Sequence, residues 1–177
     1  LGLKLIGYHA NTPNPQGGVI RREADGKTPN GVLEELAAMP HMVKALVPKS
    51  PQGKDEFLKR GLELAKSYGY TTANEGRMFS AGQSSDMADA GARGLVDIDV
   101  TGWMDYTGRS ALDKAFSTTY ANHYRLAGLK VTLDGSPQGR TAWRTKPYLI
   151  PPDGQKPGYK GYPAIADTKQ VQAYLDE

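Results

Sequence analysis

Lys130 and Asp134 stand four residues apart in Gly128-Leu-Lys-Val-Thr-Leu-Asp-Gly-Ser136, with apolar residues alternating around them. The alternation predicts a strand over 128–134, with Leu129, Val131 and Leu133 on one face and Lys130, Thr132 and Asp134 on the other. Lysine avoids strand interiors, so Lys130 either meets water on an exposed or edge strand or is held there for a function. Carboxylates at strand ends are the other chemistry on offer. Glu75 in Asn74-Glu75-Gly76 and Asp134 in Asp134-Gly135-Ser136 are general acid/base candidates, and both positions also suit loop capping. Asp97 and Asp99 share one strand face, where two acids either pair in a site or lie in water. The three histidines, His9, His41 and His123, are far apart, and neither His-x-His nor His-Glu-x-x-His occurs. Gly-x-Ser-x-Gly and the phosphate-loop pattern are missing as well.

The elements that must position these residues follow from periodicity. Phe57, Leu58, Leu62, Ala65 and Tyr68 recur at helical spacing after Ser50-Pro51, and Gly69 stops the run. Short strands are predicted over 70–74 and 95–101, with helices over 85–92, capped by Ser84 or Ser85, and 110–123. The strand over 128–134 follows, and a last helix starts near Asp167-Thr168. Alternating strands and helices at this spacing predict parallel strands with helices outside, as in a barrel fragment or an open doubly wound sheet. In such folds chemistry gathers at the C-terminal strand ends, here Asn74-Glu75-Gly76, Thr101-Gly102-Trp103 and Asp134-Gly135-Ser136. Residues 1–50 differ: Val19 to Arg22 and Val32-Leu33 flank an Asp25-Gly26 turn, predicting a hairpin. A short helix is expected from Leu33 to Met39, interrupted at Pro40. The expected organisation is a hairpin or flap-like insertion with a connecting helix over 1–50, then a barrel segment over 51–177.

Three segments resemble a known family. Gly128 to Ala142, continued by Lys146-Pro147-Tyr148, is similar to the fourth-strand signature of the amidohydrolase-3 family. Thr12-Pro13-Asn14-Pro15-Gln16-Gly17-Gly18 and Gly31-Val32-Leu33-Glu34-Glu35 resemble its Thr-Pro-x-Pro-x-Gly-Gly hairpin and Gly-x-Leu-x-Glu sequel. Gly69 to Gly76 resembles its second barrel strand. The resemblance implies an α/β fold, a partial TIM-like (β/α) barrel with an inserted N-terminal β-hairpin. It implies a metal-dependent hydrolase that cleaves amide-like C–N bonds, other than peptide bonds, in small molecules through a metal-activated water. Lys130 matches the family's lysine ligand, which can be carboxylated to a carbamate that bridges two divalent metals, zinc by default. Glu75, Asp134, Ser136, Arg140 and Trp143 become substrate-pocket candidates. The family's histidine ligands and its eighth-strand aspartate have no counterpart here, so this stretch alone is expected to be inactive and to rely on the rest of a parent chain. The alternatives are a catalytically inactive α/β binding or assembly module and an open α/β domain that binds a small anion.

Composition narrows the field. The 177 residues allow one domain with a core, whereas a complete eight-stranded barrel takes about 250. The chain opens at Leu1 and ends in a helical pattern, which reads as an internal piece of a longer protein. A net charge of +3 is interspersed, without a basic-aromatic stripe, so no nucleic-acid partner is expected. No apolar run approaches the roughly 20 residues of a membrane helix, so no membrane partner is expected. Zero cysteines exclude disulfides and thiolate metal ligands. The working expectation is a cytoplasmic protein whose open sheet edges favour a homo-oligomer.

Overall fold

A computed structural model of the chain describes residues 2–176. In chain order the elements are α1 (Gly2–Leu5), β1 (Gly18–Arg22), β2 (Pro29–Glu35), α2 (Met39–Leu46), α3 (Pro51–Ser67), β3 (Thr72–Met78), α4 (Ala81–Ala92) and β4 (Asp99–Asp105). A 3-10 turn, Tyr106–Ala111, leads into α5 (Leu112–Ala115), then β5 (Tyr124–Lys130) and α6 (Thr168–Asp176). The chain forms two compact units, Val47–Val131 and the residues on either side of it.

The Val47–Val131 unit is built on parallel strands in the order β3-β4-β5. Its first helix starts where Ser50 accepts a hydrogen bond from the Gly53 N–H at 3.1 Å, with Pro51 in the first turn, where a missing N–H costs nothing. It ends as Gly69 takes φ +80° and its N–H donates to the Lys66 carbonyl at 2.8 Å. Leu62 and Ala90 from the helices meet Met78, Val96, Ile98, Val100, Met104, Tyr124 and Leu126 in one core. Each fully buried Leu or Met there contributes about 1.5–3 kcal/mol. On β4 the buried Val100, Gly102 and Met104 alternate with Thr101 and the exposed Trp103. Thr101 is in register with Asn74 of β3 and Arg125 of β5, so the face away from that core carries a polar row. The mixed α/β architecture with a parallel sheet is therefore as expected, and no closed barrel occurs among the described residues.

In the flanking unit, β1 and β2 form the expected antiparallel hairpin, with Gly18 opposite Glu35 and a bulge between Ile20 and Arg22. Its turn is fastened by Asp25, which accepts from the Lys27 N–H at 2.7 Å, the Thr28 N–H at 2.8 Å and the Thr28 hydroxyl at 2.6 Å. These bonds, the hydroxyl's foremost, hold the Asp25 carboxyl below its ordinary pKa. From Thr132 to α6 the backbone is largely irregular and is tied by single bonds, such as Ala164 N–H to the Leu133 carbonyl at 2.8 Å.

Several element boundaries depart from the sequence reading. The third parallel strand spans Tyr124–Lys130, not 128–134. Asn122 and His123 take φ 50° and 65°, a left-handed turn that launches the strand early. The ladder stops at Lys130 because its register partner, Asp105, is the last residue of β4. The other two strands also run on, to Met78 and Asp105, so Glu75 and Gly102 lie within strands and not at their ends. The helix expected over 110–123 stops at Ala115, since Phe116 turns extended and bridges Leu126. The cap of α4 is Ser80, not Ser84 or Ser85: Ser80 and Gln83 form a reciprocal capping box. Leu33 lies in a strand, and Pro40 sits in the first turn of α2 instead of ending a helix.

Candidate functional site

The C-terminal edge of the parallel sheet brings together Met78, Asp105 and Lys130 as the last residues of their strands. Lys130 is exposed at the end of β5, in register with Asp105. Asp105 is the buried acid of this edge, at 5% exposure. Its Oδ1 accepts from the Thr107 N–H at 3.0 Å and the Thr107 hydroxyl at 2.6 Å. Its Oδ2 accepts from Arg77 Nε at 2.7 Å, and the Arg77 guanidinium lies over the Phe79 ring, 4.9 Å from its centroid. Burial alone would raise the Asp105 pKa, but the Thr107 bonds and Arg77 outweigh it and hold the carboxyl below its ordinary value. The arrangement is a fixed, ionised carboxylate beside the strand position of Lys130.

Glu75 is exposed on β3, where its Oε1 accepts from the Arg77 N–H at 3.3 Å. It is in register with Gly102, whereas Lys130 is opposite Asp105, and β4 separates their strands by two spacings, about 10 Å. The structure does not bring Glu75 and Lys130 together. Asp97 and Asp99, at the opposite end of the sheet, each have a side-chain partner. Lys66 pairs with Asp97, and His123 Nδ1 lies 2.9 Å from Asp99 Oδ1.

Asp134, Ser136, Arg140 and Trp143 do come together in one loop of the flanking unit. Asp134 Oδ2 accepts from the Trp143 N–H at 2.8 Å, and the Ser136 carbonyl accepts from the Thr141 and Ala142 N–H groups at 3.1 and 3.2 Å. The Ser136 hydroxyl accepts from the Gly139 N–H at 3.0 Å. Arg140, at φ 56°, donates to the Pro151 carbonyl at 3.3 Å, and Trp143 is exposed. Glu35, at the end of β2, accepts from the Thr141 hydroxyl and from the Ser136 N–H at 3.4 Å. Beside it, Glu34 is paired with Arg21 at 2.6 Å and accepts from the Tyr162 hydroxyl at 3.3 Å. Burial first, and Glu34's charge second, push the Tyr162 phenol above its ordinary pKa.

Sequence reasoning missed Asp105, Arg77 and the role of Glu35. The signal for Asp105 was present: an acid closing the apolar run around Met104, followed at once by Tyr106-Thr107, which can cap. Among the described residues, no group of three His, Asp or Glu side chains is placed to hold a metal ion. Lys130 is the sole metal-ligand candidate carried over from the sequence, and these residues do not by themselves compose a metal centre.

A family model described as the amidohydrolase family matches residues 1–177. Two solved structures share the fold. An uncharacterized metal-dependent hydrolase from Pyrococcus horikoshii is 16% identical, with a TM-score of 0.62 over 99% of this chain and 33% of its own. An uncharacterized metal-dependent hydrolase from Pyrococcus furiosus is 13% identical, with a TM-score of 0.59 over 88% of this chain and 32% of its own. The chain thus spans about a third of the length of these solved structures. No curated protein matches it. No helix among the described residues is long and apolar enough to cross a membrane.

Proposed function

This chain belongs to the amidohydrolase family, and from that premise we propose that it is part of a metal-dependent hydrolase that cleaves an amide-like C–N bond in a small molecule. The observation that carries the reading is the position of Lys130, the last residue of a parallel β-strand. Parallel α/β folds gather their chemistry at that end, and the lysine is the residue the family resemblance marks as a ligand. In this reading Lys130 contributes one ligand to a divalent metal, zinc by default for nitrogen and oxygen donors, with its amine carboxylated in the assembled enzyme. The other ligands belong to the rest of a parent chain, and residues 1–177 are inactive alone. Asp134, Ser136, Arg140, Trp143 and Glu75 are the proposed substrate-pocket residues.

The test is hydrolysis of para-nitroanilides of small acyl groups by the full-length protein, before and after treatment with a chelator. Release of para-nitroaniline that is lost with the chelator and restored by zinc supports the reading. Absence of release at every metal loading refutes it and favours the inactive binding or assembly module.

A further inference from the structure

We infer that Glu35 is a positioning residue, which holds the 134–142 loop in the conformation that presents Ser136 and Arg140 to substrate; the role of those two side chains rests on the hydrolase reading. Glu35 lies 101 residues before Ser136 and 106 before Thr141, yet its Oε1 takes the N–H of the first and the hydroxyl of the second. Thr141 is 1% exposed, and its Oγ1 also accepts from the Ser136 N–H at 2.9 Å. Carboxylate, hydroxyl and amide therefore form one closed triangle at the mouth of the loop. A hydrogen bond to an ionised acceptor is about twice as strong as a neutral one, so the carboxylate is the dominant member.

The backbone around the triangle is shaped to admit it. A Cβ at Gly135 would lie 2.8 Å from Glu35 Oε1 and closer still to Thr141. Glu35 itself holds φ 48°, a left-handed conformation that side chains other than glycine rarely adopt. Strain of this kind persists where the surroundings over-determine it. The adjacent Glu34 is given to an arginine, whereas Glu35 is given to the loop. The two motif segments Gly31 to Glu35 and Asp134 to Ala142 are thereby one structural device. Ser136 and Arg140 lie within the span that it closes.

The experiment compares Glu35→Ala, Glu35→Gln, Thr141→Val and Thr141→Ser in the full-length protein, by amide hydrogen exchange and by KM and kcat on the para-nitroanilide panel. Glu35→Ala and Thr141→Val should speed exchange at Ser136, Thr141 and Ala142 by about tenfold or more. They should also raise KM about tenfold while changing kcat less, as expected for lost substrate binding. Thr141→Ser keeps the hydroxyl, so both readouts should stay within about threefold of the parent, whereas Glu35→Gln keeps an acceptor but loses the charge and should fall between the parent and Glu35→Ala. Unchanged exchange in β3, β4 and β5 reports that the fold is intact. Parent-like loop exchange in Glu35→Ala overturns the clamp, and a fast loop with an unchanged KM overturns positioning. If the parent protein cleaves none of the panel, the hydrolase reading falls and the positioning role with it. Exchange then still decides whether Glu35 holds the loop.

Discussion

Replacing Asp105 with alanine should destabilise the parallel-sheet unit by about 3–5 kcal/mol, the range for breaking one partner of a buried ion pair. The side chain keeps 7% of its exposure and Arg77 keeps 23%. The substitution removes a 2.7 Å bond from Arg77 and two bonds from Thr107, at 3.0 and 2.6 Å. Hydrogen bonds to charged groups are each worth about 1.5–3 kcal/mol, and a helix cap about 1 kcal/mol. These losses share one carboxylate and do not sum, and the wetter Arg77 can recover water, so the lower half of the range is expected. Asp105→Asn keeps an oxygen for Thr107 and loses the charge, for about 1–2 kcal/mol. Urea unfolding reads the change as a shifted midpoint at constant slope. A cycle with Arg77→Ala should return a coupling of about 1 kcal/mol or more. The sign of the pH dependence follows from the depressed folded-state pKa of Asp105. The stability it contributes is fully present above the unfolded value, about 3.9, and is lost as pH falls through the folded value. An Asp105→Ala variant within about 1 kcal/mol of the parent would refute the account of this edge.

Three further outcomes are expected. Gly135→Ala places a Cβ 2.8 Å from Glu35 Oε1 and closer to Thr141, so it should cost about 1–3 kcal/mol by overpacking, read as a lowered Tm. Ser80→Ala removes the capping box of α4 and should cost about 1 kcal/mol in denaturant unfolding. Tyr124→Phe leaves the Ser84 hydroxyl, 2.8 Å from the lost oxygen, buried without that partner, at about 1–3 kcal/mol. Burial, aided by Glu75's charge, raises the Tyr124 phenol pKa as burial also raises that of Tyr162, so ultraviolet titration should find one fewer tyrosine ionising above the ordinary range in this variant than in the parent.

The hairpin was legible because Asp25-Gly26 has few alternatives: glycine takes φ +69° there and the aspartate binds two amides. Ser50 and Pro51 marked a helix start for equally local reasons. The end of the sheet was not legible. Leu129, Val131 and Leu133 alternate as a strand would, but alternation cannot say where a neighbouring strand stops, and β4 stops at Asp105. Nor does a histidine advertise the left-handed turn at Asn122-His123 that starts β5. In the candidate site, the loop from Asp134 to Trp143 could be singled out from its residues, because glycines and Asp134 close it locally. Glu35 escaped because its partners lie more than 100 residues away, and the ion pair of Asp105 escaped because Arg77 lies 28 residues away, although its cap on Thr107 is local.

Lys130 is the proposed metal-ligand position of the hydrolase. The most direct test of that role is the metal content of the purified full-length protein, parent beside Lys130→Ala, with exchange in β3, β4 and β5 confirming that both are folded. One or two zinc-like ions per parent chain are expected, as for mono- and two-metal sites, and at least one fewer in the variant. Equal metal content in the two folded proteins, or none in either, would contradict that role.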